Sequence, residues 1–528
     1  MGFIRRNTSL LISFLLMLTL ILPLSPAKAA EIGNSITIAI QSSKTLMVRP
    51  FEPVEYDIIS AYHAVYESLV ELDDDYLPQP CLAESWEESA SGKTWTFHLR
   101  EDVRFSDGTP LTARDVVASA EYIIAKAKDE NIADHGFYQN LNRFVDSITA
   151  KDDYTVVVKA ANGRTYYGLL YQMTFPVVPA ALVAEDNPPG SGPYVITEFH
   201  AGERMWLSAN TNWWKAQPQI KEILFTFENT SSAVVESYEF AQVEACFTRS
   251  VAGAQHKTGA NSLTMSYRTN QLECLYMNNN ASELTLEVRQ AIRCLIDKNK
   301  LISTAYLSLA TPTNFPFYPG TWMYNDSLDS SFTLDVEEAK RLLAEAGWED
   351  SDDNGVLDRV DSNGDLKNLH LRFYYYEEPD NDVREEAANI ISAALAEVGI
   401  ECKITAMTLS GLQERVKSGS FDLALIAFAM DTTPDPGFML MSANVKSGNY
   451  CRYKSSKMDE LFSSLRKVTS QEEYRQKLMD IQYQFYQDCP FVCLYFRTGN
   501  VITRYMYTAC RDIREYELLR GIESFFTR

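Results

Sequence analysis

Hydrophobic and polar positions recur with two periods along this chain, and the switching between them predicts a mixed α/β fold. Thr94 to Arg100 alternates: Trp95, Phe97 and Leu99 share one side, and Thr96, His98 and Arg100 the other, as in a half-buried strand. Thr112 then caps a predicted helix to about Lys128, with Val116, Val117, Ala120, Ile123 and Ile124 on one face. Strands are predicted at Tyr154–Lys159, Glu222–Phe227, Leu272–Asn278, Leu369–Tyr376 and Ile400–Ala406. Asp335 and Glu338 form a capping-box pattern that opens a helix at Val336–Ala346, with Gly347 at its end. Helices are also predicted at Val383–Val398, closed by Gly399, and at Glu472–Gln487. Phe421–Met430 is a near-continuous apolar run, as for a strand buried on both faces. The strand–helix–strand order around residue 390 suggests a parallel crossover.

Size and charge narrow the picture. A chain of 528 residues exceeds what one core usually covers, so two or three lobes are expected. Arg5 and Arg6 precede an apolar stretch from Leu10 to Leu24, and Ala27-Lys28-Ala29 offers small residues for cleavage after Ala29. Residues 1–29 therefore read as a signal peptide, too short in its apolar part for a membrane span of about 20 residues. The first cysteine is Cys81, so a lipid attachment site is not expected at the cleavage point. Removing the leader takes away three positive charges and shifts the formal net charge from −23 to −26. Such a balance argues against nucleic acid or an anionic membrane as a direct partner. Nine cysteines remain, at scattered positions; Cys274 and Cys294 read as small core residues, and a bridge between Cys489 and Cys493 is left open. The chain carries none of the motifs G-x-S-x-G, H-E-x-x-H, G-x-G-x-x-G or P-loop, and its six histidines lie far apart. An enzyme is not expected.

One ordered run carries most information: Tyr66-Glu-Ser-Leu-Val-Glu-Leu-Asp, Leu82-Ala-Glu-Ser-Trp-Glu, Thr94-Trp-Thr-Phe-His-Leu-Arg and Val103-Arg-Phe-Ser-Asp-Gly-Thr-Pro-Leu-Thr-Ala-Arg-Asp-Val. Gly192-Pro193-Tyr194, Asn210, Trp213-Trp214, Tyr276-Met-Asn-Asn, Val288-Arg-Gln-Ala-Ile, Ile296-Asp-Lys and Ala339-Lys-Arg-Leu-Leu-Ala-Glu-Ala-Gly-Trp follow in order. Together they resemble bacterial extracellular solute-binding proteins of family 5, the peptide-binding receptors of ABC importers. The resemblance implies a periplasmic-binding-protein-like α/β fold (type II, cluster C), with two large lobes, a hinge and a smaller third domain. It places lobe I at 30–72, 177–287 and 490–528, the small domain at 73–176 and lobe III at 288–489. It further implies a monomer that takes no cofactor, binds a peptide between lobes I and III, closes around it, and docks on a membrane permease. Other cargo (a nickel chelate, a cationic amine, an oligosaccharide) and a non-transport sensor, adhesion or chaperone-like role remain open.

The candidate ligand site is the segment from Phe421 to Pro436. A strand ending in an acid sets a carboxylate at a sheet's carboxyl end, where open α/β sheets bind ligands. Such a carboxylate suits a ligand ammonium. The resemblance assigns Asp431 to the ligand's α-amino group, and the main chain of Ala429 and Ala427 to strand-like pairing with an extended peptide. Phe428 stands where the family usually has Trp. Asp435 is a further candidate, although both acids also fit turns beside Pro434 and Pro436. Aromatics cluster at Phe315, Phe317, Tyr318, Trp322 and Tyr324 and at Tyr374–Tyr376; Tyr374 and Tyr376 share a face and are candidate ligand contacts. Glu377, Glu378 and Asp380 occupy the region where dipeptide binders of the family hold a basic residue for the ligand carboxylate. Arg372 and Arg384 flank it without fitting that motif, which suggests a cationic ligand, or one longer than a dipeptide. Asp350, Asp352, Asn354, Asp358 and Asp361 carry the spacing of a calcium loop, with Asp in place of the final bidentate Glu.

Overall fold

The computed structural model describes residues 34–504 apart from 44, 53–54, 130–136, 162–166, 259–261, 362 and 379–381, together with 507–508, 513–522 and 526–527. The expected signal peptide, Asp380 and Cys510 lie outside these residues. In chain order, the elements that frame the site are β1 (Ser35–Gln41), α1 (Tyr56–His63), β2 (Ala83–Glu88), β3 (Thr94–Leu99), α2 (Ala113–Lys128), β4 (Val145–Asp152), β5 (Thr155–Ala160), β6 (Tyr194–His200), β7 (Arg204–Ala209), β8 (Glu222–Glu228), β9 (Ala245–Thr248), β10 (Leu263–Met277), β11 (Ala310–Pro312), β12 (His370–Tyr376), α3 (Val383–Ala396), β13 (Glu401–Met407), β14 (Leu423–Ala429), α4 (Gln471–Asp488) and β15 (Phe491–Thr503).

Two sheets organise the molecule. Eleven strands form one mixed sheet in the order β13-β12-β14-β10-β15-β9-β1-β8-β7-β6, with β11 along β15. Four strands, β2-β3-β5-β4, form a separate antiparallel sheet. In β3 the predicted alternation holds, and Trp95, Phe97 and Leu99 are buried. The start of α2 is fixed by Asp115, whose carboxylate accepts the Thr112 backbone N–H at 2.8 Å. The four-stranded sheet shares one apolar core with the N-terminal half of the large sheet, since Phe97, Val158, Ile223 and Ile38 belong to the same cluster. The turn at Gly192-Pro193-Tyr194 closes against this core. A Cβ on Gly192 would lie 2.8 Å from the Val65 carbonyl oxygen, a close approach that only glycine permits.

The C-terminal half is buried on both sheet faces. Leu423 and Leu425 of β14 pack with Ile391 and Leu395 of α3. Ala424 and Ile426 pack with Tyr474, Leu478 and Phe485 of α4. The same alternation sends Tyr375 to the first cluster and Tyr374 to the second. β12 and β13 pair in parallel through α3, the expected crossover.

β10 and β15 tie the halves together, and β10 begins at Leu263, well before the predicted Leu272. They pair with each other from Leu263–Thr503 to Tyr276–Phe491, with a register break between Arg268 and Leu272. At the break Thr269 Oγ1 donates to the Arg497 carbonyl at 2.5 Å, which satisfies a main-chain oxygen outside the ladder. Gly499 sits opposite Tyr267 and leaves no room for a side chain: a Cβ there would fall 2.0 Å from the tyrosine ring. No helix among the described residues is long and apolar enough to cross a membrane.

Candidate ligand-binding site

A cavity of about 240 Å³ opens where β14 ends. Its wall combines parts of both halves: Tyr56 of α1, Phe137–Leu141, Tyr171–Thr174, the Ala429–Thr432 segment and Tyr516 near the C-terminus. Four rings form a continuous surface. Tyr56 and Tyr516 have centroids 5.4 Å apart, Tyr516 and Phe137 4.5 Å, and Phe137 and Tyr138 5.0 Å. Tyr516 is buried and takes a φ of 69°, a left-handed conformation costing roughly 1–2 kcal/mol for a non-glycine residue. Its neighbours hold it there: Arg514 donates to the carbonyls of Asp73 and Leu72, and Glu515 accepts from Asn270 N–H and from Arg249.

Asp431 lines this cavity, just past the last residue of β14. Its carboxylate accepts from Asn140 Nδ2 at 3.1 Å, from the Thr433 N–H at 3.1 Å and from Thr432 Oγ1 at 3.4 Å. All three donors are neutral. Ala429 also lines the cavity, and its main chain pairs with Gln271 of β10. On the other side, β12 pairs with β14 at Leu423 and Ala424, and among the described residues no strand runs along the β14 edge toward Ala427 and Ala429. Two further bonds draw the halves together beside the cavity: Gln172 Nε2 to Thr433 Oγ1 at 2.7 Å, and Tyr167 N–H to the Val468 carbonyl at 3.0 Å.

Other candidates lie elsewhere, each for a local reason. Asp435 is ion-paired with Arg466 at 2.8 Å and accepts the Gly437 N–H, so it anchors a turn. Phe428 is half-buried and packs on Tyr276, Phe438 and Tyr450 rather than lining the cavity. Tyr374 lies under Arg415, and Tyr376 under Arg384 at 3.7 Å. Phe317 and Tyr318 do come near Asp431, in a small adjoining cavity of about 40 Å³ that Tyr76 and Met430 share. Phe315 and Tyr324 are core residues.

The acidic loop is not simply solvated. Glu378 ion-pairs with Arg384 and, at 2.9 Å, with Arg497. Both arginines also reach buried Glu273, at 2.6 and 2.9 Å. Burial alone would raise the Glu378 carboxyl, but Arg497 and Arg384 outweigh it and hold it at about 2. Arg372 is engaged by Asp422 at 2.7 Å. In the calcium-like loop, Asp350, Asp352 and Asp358 carboxylate oxygens come within 4.8 Å of one another. Asp350 also caps the Asn354 and Gly355 N–H groups, Asn354 Nδ2 donates to Asp352, and Asp361 is held by Lys367. The eight described cysteines are free thiols, Cys489 and Cys493 among them.

The aromatic wall escaped the sequence analysis. Tyr56, Phe137, Tyr138, Tyr171 and Tyr516 come from stretches up to 460 positions apart, and no local periodicity links them.

Comparison with known proteins gives the cavity its context. A description of bacterial extracellular solute-binding proteins, family 5 (middle region), matches residues 78–450. The chain belongs to this family. Its relatives include an oligopeptide-binding protein, AppA, of Bacillus subtilis, 26% identical over 479 residues that cover 86% of this chain and 85% of that protein. They also include the nickel-binding periplasmic protein of Escherichia coli, 26% identical over 420 residues, with 76% and 77% covered. The solved structure of B. subtilis AppA in complex with a nonapeptide aligns with a TM-score of 0.69 at 20% identity, covering 94% of this chain and all of that one. The fold is therefore the mixed α/β fold of family 5 binding proteins. The family consists of periplasmic or extracellular solute-binding proteins, not enzymes.

Proposed function

We propose that this protein is the exported binding component of an ABC importer and carries amine-bearing solutes, peptides foremost. The observation that carries this reading is the Asp431 carboxylate: it lines a cavity between the halves and meets only neutral donors there. A ligand ammonium would complete its coordination with charge-assisted hydrogen bonds, and the β14 edge, which no described strand covers beyond Ala424, suits an extended peptide running past Ala429 and Ala427.

In this reading residues 1–29 are a cleaved signal peptide and the mature chain acts as a monomer. The lobes are 30–72 with 177–287 and 490–528, then 73–176, then 288–489. The chain bends where the β10–β15 ladder breaks at Arg268–Leu272, and closure excludes water from the bound amine. The closed form then docks on a permease. Nickel-binding relatives make a metal chelate the second reading, but no His or Cys is among the described residues lining the cavity, which favours the amine.

Native mass spectrometry of protein purified from cells tests the proposal. Retained masses that fragment as peptides or other amines support it; a retained metal complex or an amine-free sugar overturns it.

A further inference from the structure

We infer that the part of the solute held at Asp431 is a compact cationic group with no carboxylate beside it in the same cavity, so that a peptide cargo keeps its carboxylate outside. This rests on the proposed role of Asp431 and goes beyond it to the charge of what the cavity holds.

Among the described residues lining the cavity, Asp431 is the only one with a formal charge. The rest of the wall is aromatic, apolar or amide. The contiguous rings of Tyr56, Tyr516, Phe137 and Tyr138 line the wall; the negative face of such a ring, unlike its positive edge, attracts a cation, and the carboxylate adds a full opposite charge. A zwitterionic peptide would bring a second charge of the wrong sign. Enclosing its carboxylate without a cationic partner leaves a desolvated anion, which is costly.

The guanidiniums that touch the surrounding rings have carboxylate or carbonyl partners of their own. Arg249 lies 5.1 Å from the Tyr56 ring centroid and is ion-paired at 2.8 Å with both Asp57 and Glu515. Arg514 stacks on Tyr76, pairs with Glu517 and donates to two main-chain carbonyls. Arg268 stacks on Tyr76 and Tyr318 and reaches the Asp74 carbonyl. Flanking the acidic loop, Arg372 and Arg384 are likewise held by Asp422 and by Glu273 with Glu378. Among the described residues the wall offers the Asp431 carboxylate to a positive group, and only neutral amides and hydroxyls to a negative one. The cavity is open to solvent at Asp431, and its volume of about 240 Å³ falls just below the usual range for small-molecule sites, about 300–1,000 Å³, so the group it holds is small.

Titration calorimetry with three matched probes tests this on the mature protein: Ala-Phe amide (a cation), Ala-Phe (a zwitterion) and N-acetyl-Ala-Phe amide (neutral). The expected order is the amide tightest, at least tenfold over the free acid, with the acetylated probe weakest. Asp431→Asn, nearly isosteric, should weaken the amide at least tenfold and leave the acetylated probe unchanged. If the amine is required but Ala-Phe binds as well as its amide, the present inference falls and the amine reading stands. If the acetylated probe binds as well as the amide, or Asp431→Asn changes nothing, the amine reading falls and takes this inference with it. Absence of binding by all three probes also overturns the inference, since a cation of this size would then not be what the cavity encloses.

Discussion

Two carboxylates near the junction of the halves, Glu378 and Asp431, sit in opposite electrostatic settings. Glu378 joins Glu273, Arg384 and Arg497 in a network of alternating charge, each acid touching both arginines. Asp431 has an amide, a main-chain N–H and a hydroxyl, and no cation among its hydrogen-bond partners. The first set is internally neutral and fastens the start of α3 to β10 and β15. The second leaves a negative charge facing a cavity. Removing one member of the network should therefore be felt in folding, and removing the Asp431 charge should be felt in binding.

The largest effect is expected from Arg384→Met. It strips buried Glu273 and Glu378 of a shared partner, and breaking a buried ion pair in this way costs about 3–5 kcal/mol. Urea unfolding measures it; a loss below about 1 kcal/mol would show that the network contributes little. Asp431→Asn comes next. Loss of one charged hydrogen-bond partner costs about 1.5–3 kcal/mol in binding, roughly 10–150-fold in Kd, while unfolding should stay within about 0.5 kcal/mol of the native protein. A reversed pattern, with unfolding altered and Kd intact, would break the contrast.

A pH series sharpens it further. The Glu378 carboxyl is held at about 2, below its ordinary 4.5, so its stabilisation is full above pH 4.5 and is lost as pH falls toward 2. Glu378→Gln should therefore be less stable than the native protein at pH 6, and the gap should close as acid is added. A gap that stays constant down to pH 2 would show that the network does not hold the charge. The smallest effect is expected from Arg372→Met. Its side chain is half exposed beside Asp422, and such pairs contribute about 0–1 kcal/mol.

What the sequence disclosed follows the range of the interactions. The run in β14 was legible because Leu423 to Ile426 are buried in turn against α3 on one face and α4 on the other. The start of α2 was legible because Thr112 and Asp115 are three residues apart. β10 was read too short. Its outer part, Leu263–Gln271, is mostly polar, and pairing with distant β15 holds it extended. At the site, Asp431 could be singled out because it closes an apolar run. Its partner Asn140 lies 291 positions away, and Tyr516 arrives from the chain's far end. Glu378 stood out only as an acid where a base was expected, because Arg497, which neutralises it, is 119 positions distant.

The account stands or falls on whether the charge at position 431 is what holds the cargo. The cargo identified by native mass spectrometry should be titrated into the native protein and Asp431→Asn under identical conditions. A Kd at least tenfold weaker in the variant, with the melting temperature of the unliganded proteins unchanged, is the predicted result. Equal affinity in the two proteins would contradict it.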